Sequence, residues 1–215
     1  RFHSDTGTNT ARLPAVLRHP QLLRLNYGIF ALHAAQMAMF VTMPFALTST
    51  GGLDKSEHWM VYLPVVVAGF FLMVPAIIYG EKKAKLKQVF VAAVALMTAA
   101  QLGMALALSS FWLIVTWLAL YFIAFNILEA TLPSLISKIA PADAKGTAIG
   151  VYNTAQSFGL FLGAAFGGWL YSRYGAGSVF AFTSVLMASW LWLSFTMQPP
   201  KAVKTQMFHI GDDWQ

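Results

Sequence analysis

From Gln88 to Leu128 the chain carries no charged residue. As one α-helix rising about 1.5 Å per residue, this stretch would be about 60 Å long, twice the ~30 Å hydrocarbon core of a bilayer. It has to fold back on itself, and Ser109-Ser110 is where a tight turn fits. Four more charge-free stretches lie between Arg24 and Asp54, Glu57 and Glu81, Lys145 and Arg173, and Arg173 and Lys201. Each supplies the ~20 residues one crossing requires. Six spans follow, at about 23–47, 59–79, 88–108, 111–136, 147–171 and 177–197. Only helices satisfy the backbone in lipid here, because barrel strands would alternate in polarity. The fold class expected is an all-α polytopic membrane protein.

The basic residues orient it. Of 14 lysines and arginines, only Lys55 and Arg173 fall in the second, fourth or sixth connection-side segments. The rest are Arg1, Arg12, Arg18 and Arg24, then Lys82, Lys83, Lys85 and Lys87, then Lys138 and Lys145, then Lys201 and Lys204. Basic residues resist translocation, so both ends are expected in the cytoplasm. Charged residues are 10% of the chain, against about 25% in soluble domains. The net charge of +6 does not point to nucleic acid, because it sits in short membrane-proximal clusters beside anionic lipid. Without cysteine, disulfides, thiolate nucleophiles and Cys-ligated metals are excluded.

Three regions result. Residues 1–22 read as a cytoplasmic linker whose amphipathic segment is interrupted by Pro14 and Pro20. Residues 23–197 form the bundle, and 198–215 a cytoplasmic tail opening on Pro199-Pro200, which stops the sixth helix. There is no starting methionine and no signal-peptide pattern, so a piece of a longer protein is expected.

Polar residues within the spans select candidate sites. Asn26, His33 and Gln36 share one face of the first span. They face either a neighbouring helix or a water-filled cavity. In the fourth, Asn126 and Glu129 lie one turn apart, with Pro133 one turn on to kink the helix. Glu129 is the only acid inside any span, and such residues are costly enough to suggest function. It lies about 13 Å along the helix from Lys138, in the cytoplasmic half, where a static ion pair is the competing role. In the fifth, Gly159, Gly163 and Gly167 repeat every four residues, flanked by Gly150 and Gly168. Small residues let backbones approach, for static packing or for sliding. Asn153 and Gln156 precede that stripe. The third span, with Gln101, and the sixth, with Trp190 and Trp192, read as lipid-facing or supporting. No catalytic motif occurs, and His33 has no second mid-membrane histidine to share a haem or metal, so neither an enzyme nor a cofactor is expected.

The run FNILEATLPSLISKIAPADAKGTAIGVYNTAQSFGLFLGAAFGGWLYSRYG, Phe125 to Gly175, resembles the tenth and eleventh helices of major facilitator superfamily transporters. Arg18 to Phe40 is similar to their linker and seventh helix, and the likeness is greatest to the YajR-like group of the drug/proton antiporter branch. The resemblance implies the C-terminal half of a twelve-helix fold, built as two inverted three-helix repeats. It also implies a location in a bacterial inner (plasma) membrane, an N-terminal six-helix half as partner, and in some members a soluble C-terminal domain. The family's loop motif G-x-x-x-D-R-x-G-R-[RK] has a degenerate counterpart at Gly80 to Lys87. There Ala84 replaces the aspartate and Lys87 the second glycine, so the latch is expected to be missing. The antiporter motif is echoed by Gly159, Gly163 and Gly167, with Ala164 where its proline would stand.

The function implied is half of a proton-coupled secondary transporter exporting small amphipathic compounds by alternating access. Protons, a small-molecule substrate and the bilayer are the other partners. Glu129 is the proton-coupling candidate, and Asn26, His33, Gln36, Asn126, Asn153 and Gln156 are the cavity candidates. Gly150, Gly159, Gly163, Gly167, Gly168 and Pro133 are the packing or gating candidates. A non-transporting six-helix sensor or assembly module is the alternative.

Overall fold

The computed structural model describes residues 10–198. The expected tail with Lys201 and Lys204, and the start of the linker with Arg1, lie outside the described residues. Every regular element among the described residues is helical. A short helix α1 (Leu13–Arg18) leads into six long ones: α2 (Pro20–Gly51), α3 (Trp59–Lys82), α4 (Leu86–Leu106), α5 (Phe111–Ile139), α6 (Lys145–Tyr174) and α7 (Ala176–Phe195).

The helix ends follow from local chemistry. Pro14 and Pro20 each sit in a helix's first turn, where the missing N–H removes no bond. Between them His19 is extended, as a residue before proline prefers, and its ring accepts from the Leu22 N–H at 3.4 Å. Gly52 ends α2 in the left-handed region at φ 66°, donating its N–H to the carbonyls of Leu47 and Thr48. The fold-back falls at Ala107–Ser110, closed by the Ser110 N–H on the Ala107 carbonyl at 3.0 Å. Pro44, Pro64, Pro75 and Pro133 all stand inside helices that continue past them.

Among the described residues, five helices are long and apolar enough to cross a membrane: α2, α3 with its preceding turn, α4, α5 and α7. At 30 residues α6 has the length, but it is diluted by Asn153, Gln156, neighbouring hydroxyls and its glycines. It is instead laid along α2, its main partner; α3 pairs with α5, and α4 with both α5 and α7. Leu25, Ile29, Leu32, Met39 and Met43 of α2 are fully buried in the one continuous core, with Phe90, Leu118 and Trp190.

The α2–α6 seam is parallel and in step. A Cβ at Gly159 would collide with the Phe30 carbonyl, one at Gly163 with the Ala34 carbonyl and Cα, and one at Gly167 with Ala38 Cα at 2.7 Å. Each partner advances four residues as each glycine does, so backbone lies on backbone without interlocking side chains. Gly150 is different: a Cβ there meets nothing within 4 Å, and at Gly168 only Val41 Cγ1 at 3.9 Å. Close packing therefore does not account for either.

Two spans that read as bland are tightly engaged. Trp190 is fully buried, its indole pressed against Gly28 and edge-on to Phe90 at 5.8 Å between centroids. Gln101 is also fully buried, and its Oε1 accepts from Thr183 Oγ1 at 2.8 Å, tying α4 to α7.

The basic clusters gather at one end of the bundle. There Arg12 pairs with Asp143, joining the segment before α1 to the turn before α6, and Val16 of α1 is buried. Lys138 of α5 donates to Glu81 of α3 at 2.6 Å. The end of α3 thus carries an ion pair to α5, from Glu81 and not from position 84. Ala84 instead adopts a left-handed φ of 53° to make the turn.

Candidate functional site

Three of the polar candidates converge from three helices. His33 of α2 is buried, its side chain 5% exposed. Its Nδ1 lies 3.1 Å from the Ile29 carbonyl one turn earlier. A carbonyl only accepts, so Nδ1 carries a proton and donates. That leaves Nε2 facing two groups. Gln156 Nε2 of α6 stands 2.8 Å from it, and Glu129 Oε1 of α5 stands 3.5 Å away. The carboxyl is within ion-pair reach but beyond a good hydrogen bond, and Oε1 is otherwise buried without a partner. The Glu129 side chain as a whole is 34% exposed, so the cluster is reached from one side.

This arrangement has two proton inventories. With a neutral ring, Nε2 accepts from the Gln156 amide. With a second proton on Nε2, the ring donates toward the Glu129 carboxylate, and the Gln156 amide has to turn its oxygen inward. Gain of one proton therefore adds a charged tie from the His33 ring to α5 and reverses the direction of its bond with α6. Aromatic side chains close the surroundings. Phe125 meets the His33 ring edge-on at 6.0 Å and is stacked on Tyr121 at 5.9 Å. Tyr121 is fully buried, and Tyr121 and Tyr152 both lie within electrostatic reach of Glu129.

The other candidates are more dispersed. Asn126 turns back to donate to the Phe122 carbonyl at 2.7 Å and abuts Gly69, where α3 crosses α5 closely. Asn26 is 7% exposed, with neither side-chain polar atom hydrogen-bonded. Gln36 is half-buried and Asn153 exposed. Pro133 lies one turn beyond Glu129 in the uninterrupted α5, so the Glu129 carbonyl lacks its usual helical donor.

Sequence reasoning missed Gly69, Tyr121 and Tyr152. The first had a faint signal: Val61, Val65 and Gly69 form the buried line of α3 at four-residue steps. The tyrosines had none, since an aromatic residue in a span is ordinary.

Comparison with known proteins places the chain in a family. The Major Facilitator Superfamily profile matches residues 25–211. The chain is 42% identical over 209 residues to the inner membrane transport protein YajR of Escherichia coli (strain K12), covering 97% of this chain and 46% of that protein. It is 29% identical over 140 residues to the uncharacterized transporter BU466 of Buchnera aphidicola subsp. Acyrthosiphon pisum (strain APS), covering 65% and 36%. To the multidrug resistance protein MdtH of Cronobacter sakazakii (strain ATCC BAA-894) it is 26% identical over 173 residues, covering 78% and 42%. The chain spans less than half the length of these relatives.

Proposed function

The chain belongs to the Major Facilitator Superfamily, and on that premise we propose that it forms the C-terminal half of a proton-coupled exporter of small amphipathic compounds. The observation that carries this reading is the His33–Glu129–Gln156 cluster. It joins three helices around one ring nitrogen and changes its bonding with one proton. In alternating access, two halves rock about a central site, and a proton-dependent tie between helices is what couples the rocking to a gradient. The kinship to a multidrug resistance protein supports amphipathic cargo and outward transport. The partner surface is supplied by α3, the least enclosed of the five apolar helices, with Leu63, Phe70 and Phe71 turned outward.

The test is transport by the full-length protein in proteoliposomes. Accumulation of a lipophilic cation, such as ethidium, is expected to rise when a proton gradient is imposed and to vanish when an uncoupler dissipates it. Uncoupler-insensitive transport at the same rate removes the proton from the scheme.

Orientation is a separate expectation. By the positive-inside rule the Lys82–Lys87 end faces the cytoplasm. On a cysteine-free background, Lys55→Cys is expected to react with an impermeant maleimide in intact, right-side-out cells, and Lys83→Cys only after permeabilisation. The reverse pattern inverts the topology.

A further inference from the structure

The lysines between α3 and α4 lack the partners their number calls for. Glu81, the one acid in that stretch, is already engaged by Lys138. Among the described residues, none of Lys82, Lys83, Lys85 and Lys87 is paired with a carboxylate. Lys85 reaches the Tyr79 hydroxyl at 3.3 Å, with its ammonium over that ring. Lys87 Nζ donates to the Phe195 carbonyl at the end of α7, also at 3.3 Å.

That last bond sets an ammonium at the mouth of a groove. Between α4 and α7 runs a cleft of about 450 Å3, lined by Lys87, Gln88, Val91, Ala92, Ala95 and Phe195. Down α4 the lining steps by four, from Lys87 to Val91 to Ala95 and from Gln88 to Ala92. It is polar in the first turn and apolar below, with alanines leaving the width. Phe195, 62% exposed, stands beside the cleft, and Trp192, 69% exposed, lies one turn earlier on α7, as aromatic residues do at a headgroup layer. The polarity of the groove follows that of one leaflet: charge acceptors outside, hydrocarbon inside. A neutral lipid would fill the cleft and leave the lysines unneutralised, whereas an anionic one answers both.

We propose that the α4–α7 groove binds one anionic phospholipid, its phosphate on Lys87 and an acyl chain along Val91, Ala92 and Ala95. The inference needs only that α4 and α7 cross the bilayer. It does not depend on substrate, coupling ion or direction, so it can fail while the transport reading stands.

Native mass spectrometry of the full-length protein tests it, with phosphatidylglycerol, phosphatidylcholine of the same chains, and inorganic phosphate as probes. Phosphatidylglycerol is expected to be retained in a saturable single copy, about fivefold more tightly than phosphatidylcholine, the factor one basic residue at the surface contributes. Lys87→Gln should bring phosphatidylglycerol to the phosphatidylcholine level. Ala92→Trp, which fills the cleft, should weaken both lipids. Lys55→Gln, at the opposite end of the bundle, should change neither. Undiminished phosphatidylglycerol retention in both Lys87→Gln and a folded Ala92→Trp overturns the site. So does inorganic phosphate that binds at Lys87 as tightly as the lipid, because the groove then contributes nothing. Should Ala92→Trp not fold, Ala92→Leu narrows the same cleft with a smaller side chain.

Discussion

In proteoliposomes, Glu129→Gln is expected to lose gradient-driven transport down to the level of protein-free vesicles while still binding substrate. Glutamine keeps the shape and the hydrogen-bonding capacity of the side chain but cannot exchange a proton. In the wild type a second proton on His33 leaves a positive ring facing the carboxyl at 3.5 Å. In the variant that charge has no counter-ion, so the ring stays tied to Gln156 at 2.8 Å and the helices lose their proton-dependent alternative. Counterflow, which exchanges substrate without a gradient, should persist. Gradient-driven rates equal to wild type would show that Glu129 is not the coupling group. If Glu129→Gln and Glu129→Ala lose folded protein equally, the carboxyl is a structural ion-pair partner.

A bulky residue in the α2–α6 seam is expected to be as damaging by a different route. At Gly163 even a methyl group collides with the Ala34 carbonyl and Cα, which cannot rotate aside as a side chain can. Gly163→Leu must push the two helices apart along their whole parallel contact. Overpacking costs about 1–3 kcal/mol where neighbours can yield, and here they are backbone. The expected result is loss of transport with a lower melting temperature or little folded protein. Gly150→Leu is the matched control, because nothing stands within 4 Å of that position, and it should melt as wild type does. A wild-type melting temperature for Gly163→Leu would mean that the seam is not a close contact.

The sequence and the structure agree where one-dimensional physics is sufficient. A charge-free stretch twice the depth of a bilayer has to turn, and Ser109-Ser110 is where it does. The glycine spacing announces a close contact, but nothing local says that Phe30, Ala34 and Ala38 receive it, or that the helices run parallel. The same limit applies to the site. His33, Glu129 and Gln156 each stand out as polar residues in apolar spans. Their meeting depends on the register of three helices, with Gln156 and His33 separated by 123 positions. Helix ends were harder to read. The prolines at positions 14 and 20 look like interruptions in the sequence but open helices in the structure, and α2 runs on to Gly51, beyond the expected span, before Gly52 stops it. Trp190 and Gln101 read as peripheral because their burial is decided by partners on other helices, Gly28 and Thr183.

The pairing of α2 with α6 also sets a timetable for assembly. Among the six long helices described, the first made is the one whose principal neighbour is the fifth made. Until that neighbour leaves the ribosome, His33 has no Gln156 and the Ala34 backbone has no glycine against it. Until then, among the described helices, α5 answers that face, through Glu129 at 3.5 Å from the His33 ring. Synthesis halted after Ile139 therefore leaves these helices without the backbone-on-backbone seam that α6 lays along α2.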